Sequence, residues 1–200
     1  MNPALPEDRS SDLRKDGVKV IFVDRDGVIG EFPGMGFYVT RREDFRFLPN
    51  AKEALALLTK AGYEILVISN QGCVARGLIS QEDLGLMTQD MLKAVEAEGG
   101  KISGVFYCLH ETKDQCECKK PKTGLFKEAA RGRVIDFRST FFIGDSAEDV
   151  EAGENVGCKK VLVLSGRTRH EEETANFPAK PDVIKKDVLE AAQWILANES

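Results

Sequence analysis

Two carboxylates, Asp24 and Asp26, follow directly on the apolar run Val20-Ile21-Phe22-Val23 and precede Gly27. A run of that kind ending at an Asp-Gly turn reads as a short buried strand, so both side chains can project from its carboxyl end toward one site. Two close carboxylates repel unless a cation offsets them, and a bound Mg²⁺ would remove the conflict. The competing reading is plain turn chemistry, because Asp-Gly is a common turn pair.

Three further segments carry polar groups after apolar runs. Ile68-Ser69-Asn70-Gln71 offers a hydroxyl and an amide that could bind phosphate oxygens, although Ser-Asn also suits a turn. Lys119-Lys120-Pro121-Lys122-Thr123-Gly124 opens a helix, where positive charge and free backbone donors would serve an anion; a solvated lysine run is the alternative. Phe141-Phe142-Ile143-Gly144-Asp145-Ser146-Ala147-Glu148-Asp149 sets two more carboxylates after an apolar run, as a hard divalent cation requires, with helix capping by Asp145 as the competing reading.

A different chemistry is concentrated between residues 108 and 118. Cys108-Leu109-His110, five intervening residues and Cys116-Glu117-Cys118 supply three thiolates and one imidazole, a complete tetrahedral set for Zn²⁺. With no ligand position left for water, such a zinc is structural and would pin the loop that presents Lys119 and Lys120. The other two cysteines, Cys73 and Cys158, read as packing residues, since no activating base is evident beside either.

The elements that must position these groups alternate. Strands are expected at Lys19–Val23, Tyr63–Ser69, Gly104–Leu109, Thr140–Ile143, Lys160–Leu164 and around Pro181–Ile184. Between and after them, helices are expected at Ala51–Ala61 with Asn50 as cap, at Gln81 to about Glu98 with Ser80 as cap, and at Thr123–Arg131, Ala147–Val156 and Lys186–Ala197. This alternation predicts an α/β fold, a three-layer Rossmann-like parallel sheet with helices on both faces, and ligands at the carboxyl ends of its strands. Residues 1–18 read as a polar leader and residues 19–200 as one domain with the zinc loop at 108–118.

The four motifs, in this order and at these strand ends, resemble those of the haloacid dehalogenase (HAD) superfamily of phosphatases over about residues 19–165. The resemblance implies that Asp24 attacks phosphorus to form an aspartyl phosphate, while Asp26 protonates the leaving oxygen and later activates water. It further implies that Ser69 and Lys120 hold the transferring phosphoryl group, and that Asp24, the backbone carbonyl of Asp26, and Asp145 bind Mg²⁺. Asp149 would support that shell through a hydrogen bond or water. The cysteine loop narrows the resemblance to a branch without a large cap domain, containing D-glycero-D-manno-heptose 1,7-bisphosphate phosphatases and histidinol-phosphate phosphatases. In this branch short loops, here Gly30 to Asp44 and the zinc loop, surround the site.

Segments Gly36-Phe37-Tyr38-Val39, Asp44-Phe45-Arg46-Phe47-Leu48-Pro49 and Asn70-Gln71-Gly72-Cys73-Val74-Ala75-Arg76-Gly77 resemble the heptose enzymes, whereas the short His110–Cys116 gap is more like the histidinol enzymes. Two departures stand out. Lys119 occupies a place where the heptose enzymes commonly have arginine, and Ser146 one where lysine often follows the metal-binding aspartate. Asn70, Arg76 and Lys119 are the residues expected to bind substrate.

Composition sets the outer limits. The 28 basic and 33 acidic residues give a net charge of −5 with no long block of either sign, which argues against a nucleic-acid partner. No apolar run approaches the roughly 20 residues of a membrane-spanning helix, so a cytoplasmic enzyme is expected, and a monomer is the default for a compact domain without a cap. The expected substrate is a small phosphorylated metabolite, foremost a heptose 1,7-bisphosphate losing its C7 phosphate, with histidinol phosphate or another sugar phosphate as alternative. A catalytically silent, zinc-stabilised binding protein is the competing class.

Overall fold

A computed structural model describes residues 19–198; the polar leader expected at residues 1–18 lies outside the described residues. Six strands form one sheet: β1 (Val20–Val23), β2 (Glu64–Asn70), β3 (Ile102–Cys108), β4 (Phe141–Gly144), β5 (Lys159–Val163) and β6 (Val183–Lys185). Their order is β3-β2-β1-β4-β5-β6, and every pairing is parallel. Five helices connect or close them: α1 (Ala51–Lys60), α2 (Gln81–Glu96), α3 (Gly124–Ala129), α4 (Ala147–Val156) and α5 (Val188–Ala197).

The sheet is buried on both faces because its central strands are apolar throughout. In β1, Ile21 and Val23 join a core with Leu55 and Leu58 of α1, Met91 and Val95 of α2, and Ala191, Ala192 and Ile195 of α5. The alternate residues Val20 and Phe22 face the other side, with Leu125, Phe126 and Ala129 of α3 and Ala152 of α4. Strand alternation therefore feeds two hydrophobic cores, one per face. On the second face Phe126 meets Phe22 edge-on at 5.0 Å and Phe142 at 5.1 Å, joining β1 to β4 through one ring.

Several boundaries depart from expectation for local reasons. Asn50 precedes α1 in a left-handed conformation (φ 61°) and makes no capping hydrogen bond with its side chain, so its expected role as cap is incorrect. Ser80 does cap α2, accepting from the Asp83 N–H at 2.9 Å. The last helix begins at Val188 rather than Lys186 because the Asp187 carboxylate accepts from the Leu189 and Glu190 N–H groups, each at 3.0 Å. Ser146 caps α4, in a reciprocal box with Asp149, which removes the helix-capping reading of Asp145.

Chain order places the site. From β1 the chain builds outward through β2 to β3, then crosses to β4 on the other flank of β1, so the crevice between β1 and β4 is the topological switch point. Asp24 and Asp145 leave the carboxyl ends of these neighbouring strands, and the Asp24 N–H donates to the Ile143 carbonyl at 2.9 Å. Truncating Phe126 to alanine removes the ring shared by β1 and β4. The Phe126→Ala variant is expected to lose about 3–5 kcal/mol in urea unfolding; a loss below about 1 kcal/mol would show that this ring contact does not join the strands.

Candidate active site

Lys120 lies at the centre of the crevice, 3% exposed, on the loop between β3 and α3. Its ammonium donates to Asp149 Oδ1 at 2.6 Å and to the Ile68 carbonyl at 3.0 Å, and stands 3.0 Å from Asp24 Oδ1. Asn70 fixes the backbone of the same residue from the end of β2: its Oδ1 accepts from the Lys120 N–H at 3.0 Å and its Nδ2 donates to the Lys120 carbonyl at 3.2 Å. Asn70 was expected to bind substrate; although it lines the cleft, its amide is engaged at both ends with Lys120. Ser69, also buried, lies beside Asp24 and accepts from Gln71 Nε2 at 3.2 Å.

Carboxylates converge on this lysine. Oxygens of Asp24, Asp145 and Asp149 lie within 4.8 Å of one another, all three residues being buried. Burial pushes the Asp24 carboxyl up to about 6, Lys120 opposes that rise, and Asp149 and Asp26 add to it. Burial, then the neighbouring Asp149 and Asp24, raise Asp145 well above the usual carboxylate range. Asp149 goes the other way: burial disfavours its charge, but Lys120, the Ser146 hydroxyl and the Asp145 N–H together outweigh burial and lower it. Burial likewise opposes the Lys120 charge, and Asp149 with Asp24 overcomes it and raises the lysine. Three carboxylates against one ammonium leave two negative charges in a buried cluster, which fits a hard divalent cation with oxygen ligands.

The backbone around Asp145 is shaped to that carboxylate. A side chain on Gly27 or on Gly166 would run into it, and Gly27 also has a left-handed φ of 91°. Asp145 Oδ2 accepts from the Arg167 N–H at 2.5 Å. Asp149 accepts with Oδ2 from the Asp145 and Ser146 N–H groups at 3.2 and 3.1 Å, and from Ser146 Oγ at 2.6 Å. Ser146, the departure from the lysine often found there, is therefore part of the apparatus that orients Asp149.

The cysteine loop comes together as its spacing predicts. Sulfur atoms of Cys108, Cys116 and Cys118 lie 3.1–3.6 Å apart, and His110 Nδ1 is 3.2 Å from Cys118 Sγ and 3.9 Å from Cys108 Sγ. Tetrahedral thiolate ligands at about 2.3 Å from a metal would stand about 3.8 Å apart, close to this spacing. All five cysteines are free thiols. Burial and the two neighbouring cysteines push the Cys118 thiol far up, a conflict among thiols that a coordinated cation removes.

An open cleft of about 310 Å³ leads to Asp24, Asp26, Ser69, Lys120 and Asp145. Its rim includes the loop from Phe32 to Tyr38, with Met35 and Phe37 exposed, and the side chains of Arg76, Thr112, Lys119, Glu148 and Arg167. Arg76 is paired with Glu111 at 2.7 Å and lies over the Tyr38 ring at 5.4 Å; Arg167 is 3.3 Å from Glu148. Sequence reasoning missed Arg25, Gln71 and Arg167. For Arg25 a signal existed: a charged residue inserted between two carboxylates at the end of an apolar strand.

A carboxylate pair, a buried ammonium and a hydroxyl at the switch point of a parallel sheet suit phosphoryl transfer. The family model described as HAD-hyrolase-like matches residues 117–191. The D-glycero-beta-D-manno-heptose-1,7-bisphosphate 7-phosphatase of Haemophilus ducreyi is 32% identical over 187 residues, covering 90% of this chain and 99% of that protein. The enzyme of the same name from Vibrio cholerae is 36% identical over 173 residues, covering 82% and 91%. The crystal structure of D,D-heptose 1,7-bisphosphate phosphatase from B. bronchiseptica, complexed with magnesium and phosphate, superposes with a TM-score of 0.84 at 29% identity, covering 90% of this chain and 99% of that one. The chain belongs to the HAD-like phosphatases, in the branch of the heptose bisphosphate phosphatases, and is a phosphoric monoester hydrolase.

The buried contact between Asp149 and Lys120 generates a prediction. Replacing Asp149 by leucine leaves an ammonium buried with one carboxylate fewer, so the Asp149→Leu variant is expected to lose about 3–5 kcal/mol in urea unfolding. Stability equal to wild type would show that Lys120 does not depend on Asp149 for its charge.

Proposed function

We propose that this protein removes the C7 phosphate of D-glycero-β-D-manno-heptose 1,7-bisphosphate through an aspartyl-phosphate intermediate. One observation carries the reading: Asp24 is held against Lys120 at the switch point of a chain that aligns over nearly its whole described length with relatives bearing that name. Asp24 is the nucleophile, and its attack on phosphorus expels the sugar oxygen, which Asp26 protonates. Asp26 then takes a proton from water as that water attacks the phospho-aspartate, releasing phosphate and restoring both carboxyl groups. Lys120 and the Ser69 hydroxyl hold the phosphoryl oxygens, and Arg76 and Lys119 bind the substrate beyond the reacting phosphate.

Asp24, the Asp26 carbonyl and Asp145 are the residues that would hold Mg²⁺, with Asp149 behind them; the ion would offset charge on the phosphoryl oxygens. Cys108, His110, Cys116 and Cys118 would hold a structural Zn²⁺. Five unpaired cysteines suit a reducing compartment, and no helix among the described residues is long and apolar enough to cross a membrane, so we place the reaction in the cytoplasm.

The substrate is tested by phosphate release from both anomers of heptose 1,7-bisphosphate, from histidinol phosphate and from other sugar phosphates, with Mg²⁺ present. The β-bisphosphate is expected to give the highest kcat/KM, and equal or better turnover of histidinol phosphate would overturn the assignment. Asp24→Asn is expected to abolish release while keeping the circular dichroism spectrum; activity in that variant would remove Asp24 as nucleophile. Metal analysis of protein purified under reducing conditions is expected to find one zinc per chain, lost in Cys116→Ser. Zinc-free, fully active protein would refute the four-ligand site.

A further inference from the structure

Arg25 is 1% exposed, and among the described residues Asp26 is the one carboxylate it pairs with. Its Nε donates to Asp26 Oδ1 at 2.9 Å and its Nη2 to Asp26 Oδ2 at 2.8 Å, a two-pronged fork. The same Nη2 donates to Gln71 Oε1 at 3.0 Å, and Gln71 Nε2 returns to Asp26 Oδ2 at 2.8 Å. The guanidinium lies between the rings of Phe45, at 5.8 Å, and Tyr107, at 5.5 Å, with the Met87 sulfur 4.0 Å from Nη1. Asp26 lines the cleft, whereas Arg25 and Gln71 do not. A buried guanidinium loses its hydration and is costly unless its pairing is good, and this one is directed at the back of a residue that lines the cleft.

We propose that Arg25 and Gln71 are positioning residues that clamp Asp26 so that Oδ1 is the oxygen that passes the proton. Each carboxylate oxygen offers two acceptor positions. Both positions on Oδ2 are taken, by Arg25 and by Gln71; among the described residues Oδ1 accepts only from Arg25 Nε, which leaves one position open. The proton on Oδ1 moves to the leaving oxygen as the phosphorus–oxygen bond breaks and the Asp24–phosphorus bond forms. In the second half, water gives a proton to Oδ1 as its oxygen bonds to phosphorus and the Asp24–phosphorus bond breaks. Protons therefore balance over one turnover, and the clamp holds the same oxygen in place for both transfers. This inference rests on the phosphatase reading above.

The test compares leaving groups. A sugar alkoxide needs the proton to depart, whereas p-nitrophenolate departs as the anion. Single-turnover cleavage rates with Mg²⁺ would be measured for a sugar phosphate and for p-nitrophenyl phosphate in wild type, Arg25→Lys, Gln71→Met and Asp26→Asn. Arg25→Lys, which keeps the charge and loses the fork, is expected to slow sugar phosphate cleavage on the order of 100-fold and p-nitrophenyl phosphate cleavage less than about 3-fold. Asp26→Asn should show the same contrast more strongly, and Gln71→Met the same contrast more weakly, on the order of 10-fold. Gln71→Met also serves if Arg25→Lys does not fold. Equal slowing of both substrates, or slowing of neither, in the folded clamp variants would overturn the clamp while leaving the phosphatase reading intact. A wild type that cleaves neither substrate would overturn that reading and this inference with it.

Discussion

The ammonium of Lys120 is the interaction on which the rest of the site depends. It is buried where three strand ends meet, bonded to the Ile68 carbonyl and Asp149 and in contact with Asp24. Without it, Asp24, Asp145 and Asp149 would be three carboxylates in a space poor in water, and none of the three could readily hold its charge. With it, three carboxylates face one ammonium, an excess of acidic groups that fits a hard divalent cation. The parallel sheet matters because β1, β2 and β4 deliver Asp24, Ser69 and Asp145 to one edge. Asp149 comes from α4, and Lys120 is the one member of this group that neither a strand nor a helix delivers.

That exception accounts for the devices around it. A lysine on a loop would ordinarily keep much of its side-chain freedom, which amounts to about 2 kcal/mol when lost on burial. Here Asn70 binds its N–H and its carbonyl, and Lys120 follows two residues after Cys118, where the Cys116 and Cys118 thiols converge on Cys108 and His110. Cys108 is the last residue of β3, so the cluster ties the loop to the sheet at the strand that carries the chain into it. Constraint is thus applied on both sides of the lysine, and its charge can be held in a fixed place without a helix or strand beneath it.

Much of this was legible in the sequence. Asp24 and Asp145 follow apolar runs whose length and bounds are those of buried strands, so their shared edge could be read from the chain alone. The cysteine cluster was legible because four soft ligands crowd into one short loop of a chain that holds only 5 cysteines and 2 histidines. What sequence left open depended on long-range contact. Asn70 looked like a substrate ligand, and only the approach of residue 120 shows its amide engaged with backbone. Asn50 had the residue type of a helix cap, but its left-handed backbone turns it away from that role. Arg25 escaped notice because a charged residue in a turn is ordinarily solvated; its burial depends on Phe45, Met87 and Tyr107, which come from three distant segments.

The rim of the cleft completes the electrostatic argument. With a divalent cation balancing the central charges, a phosphate ester entering the site would add negative charge that Lys120 alone could not offset. Arg76 and Arg167 stand on the rim, each about half exposed and each facing a glutamate, Glu111 and Glu148 respectively. The Arg167–Glu148 pair is exposed on both sides and contributes at most about 1 kcal/mol, whereas Glu111 is largely covered and also pairs with Lys113. Each glutamate holds its guanidinium group at the cleft. On the proposed function, a ligand with a second acceptor at the right distance from the phosphate would gain most from this rim. Among the described residues no cap domain covers the cleft, so loop-borne side chains such as these are the groups available to distinguish one phosphate ester from another.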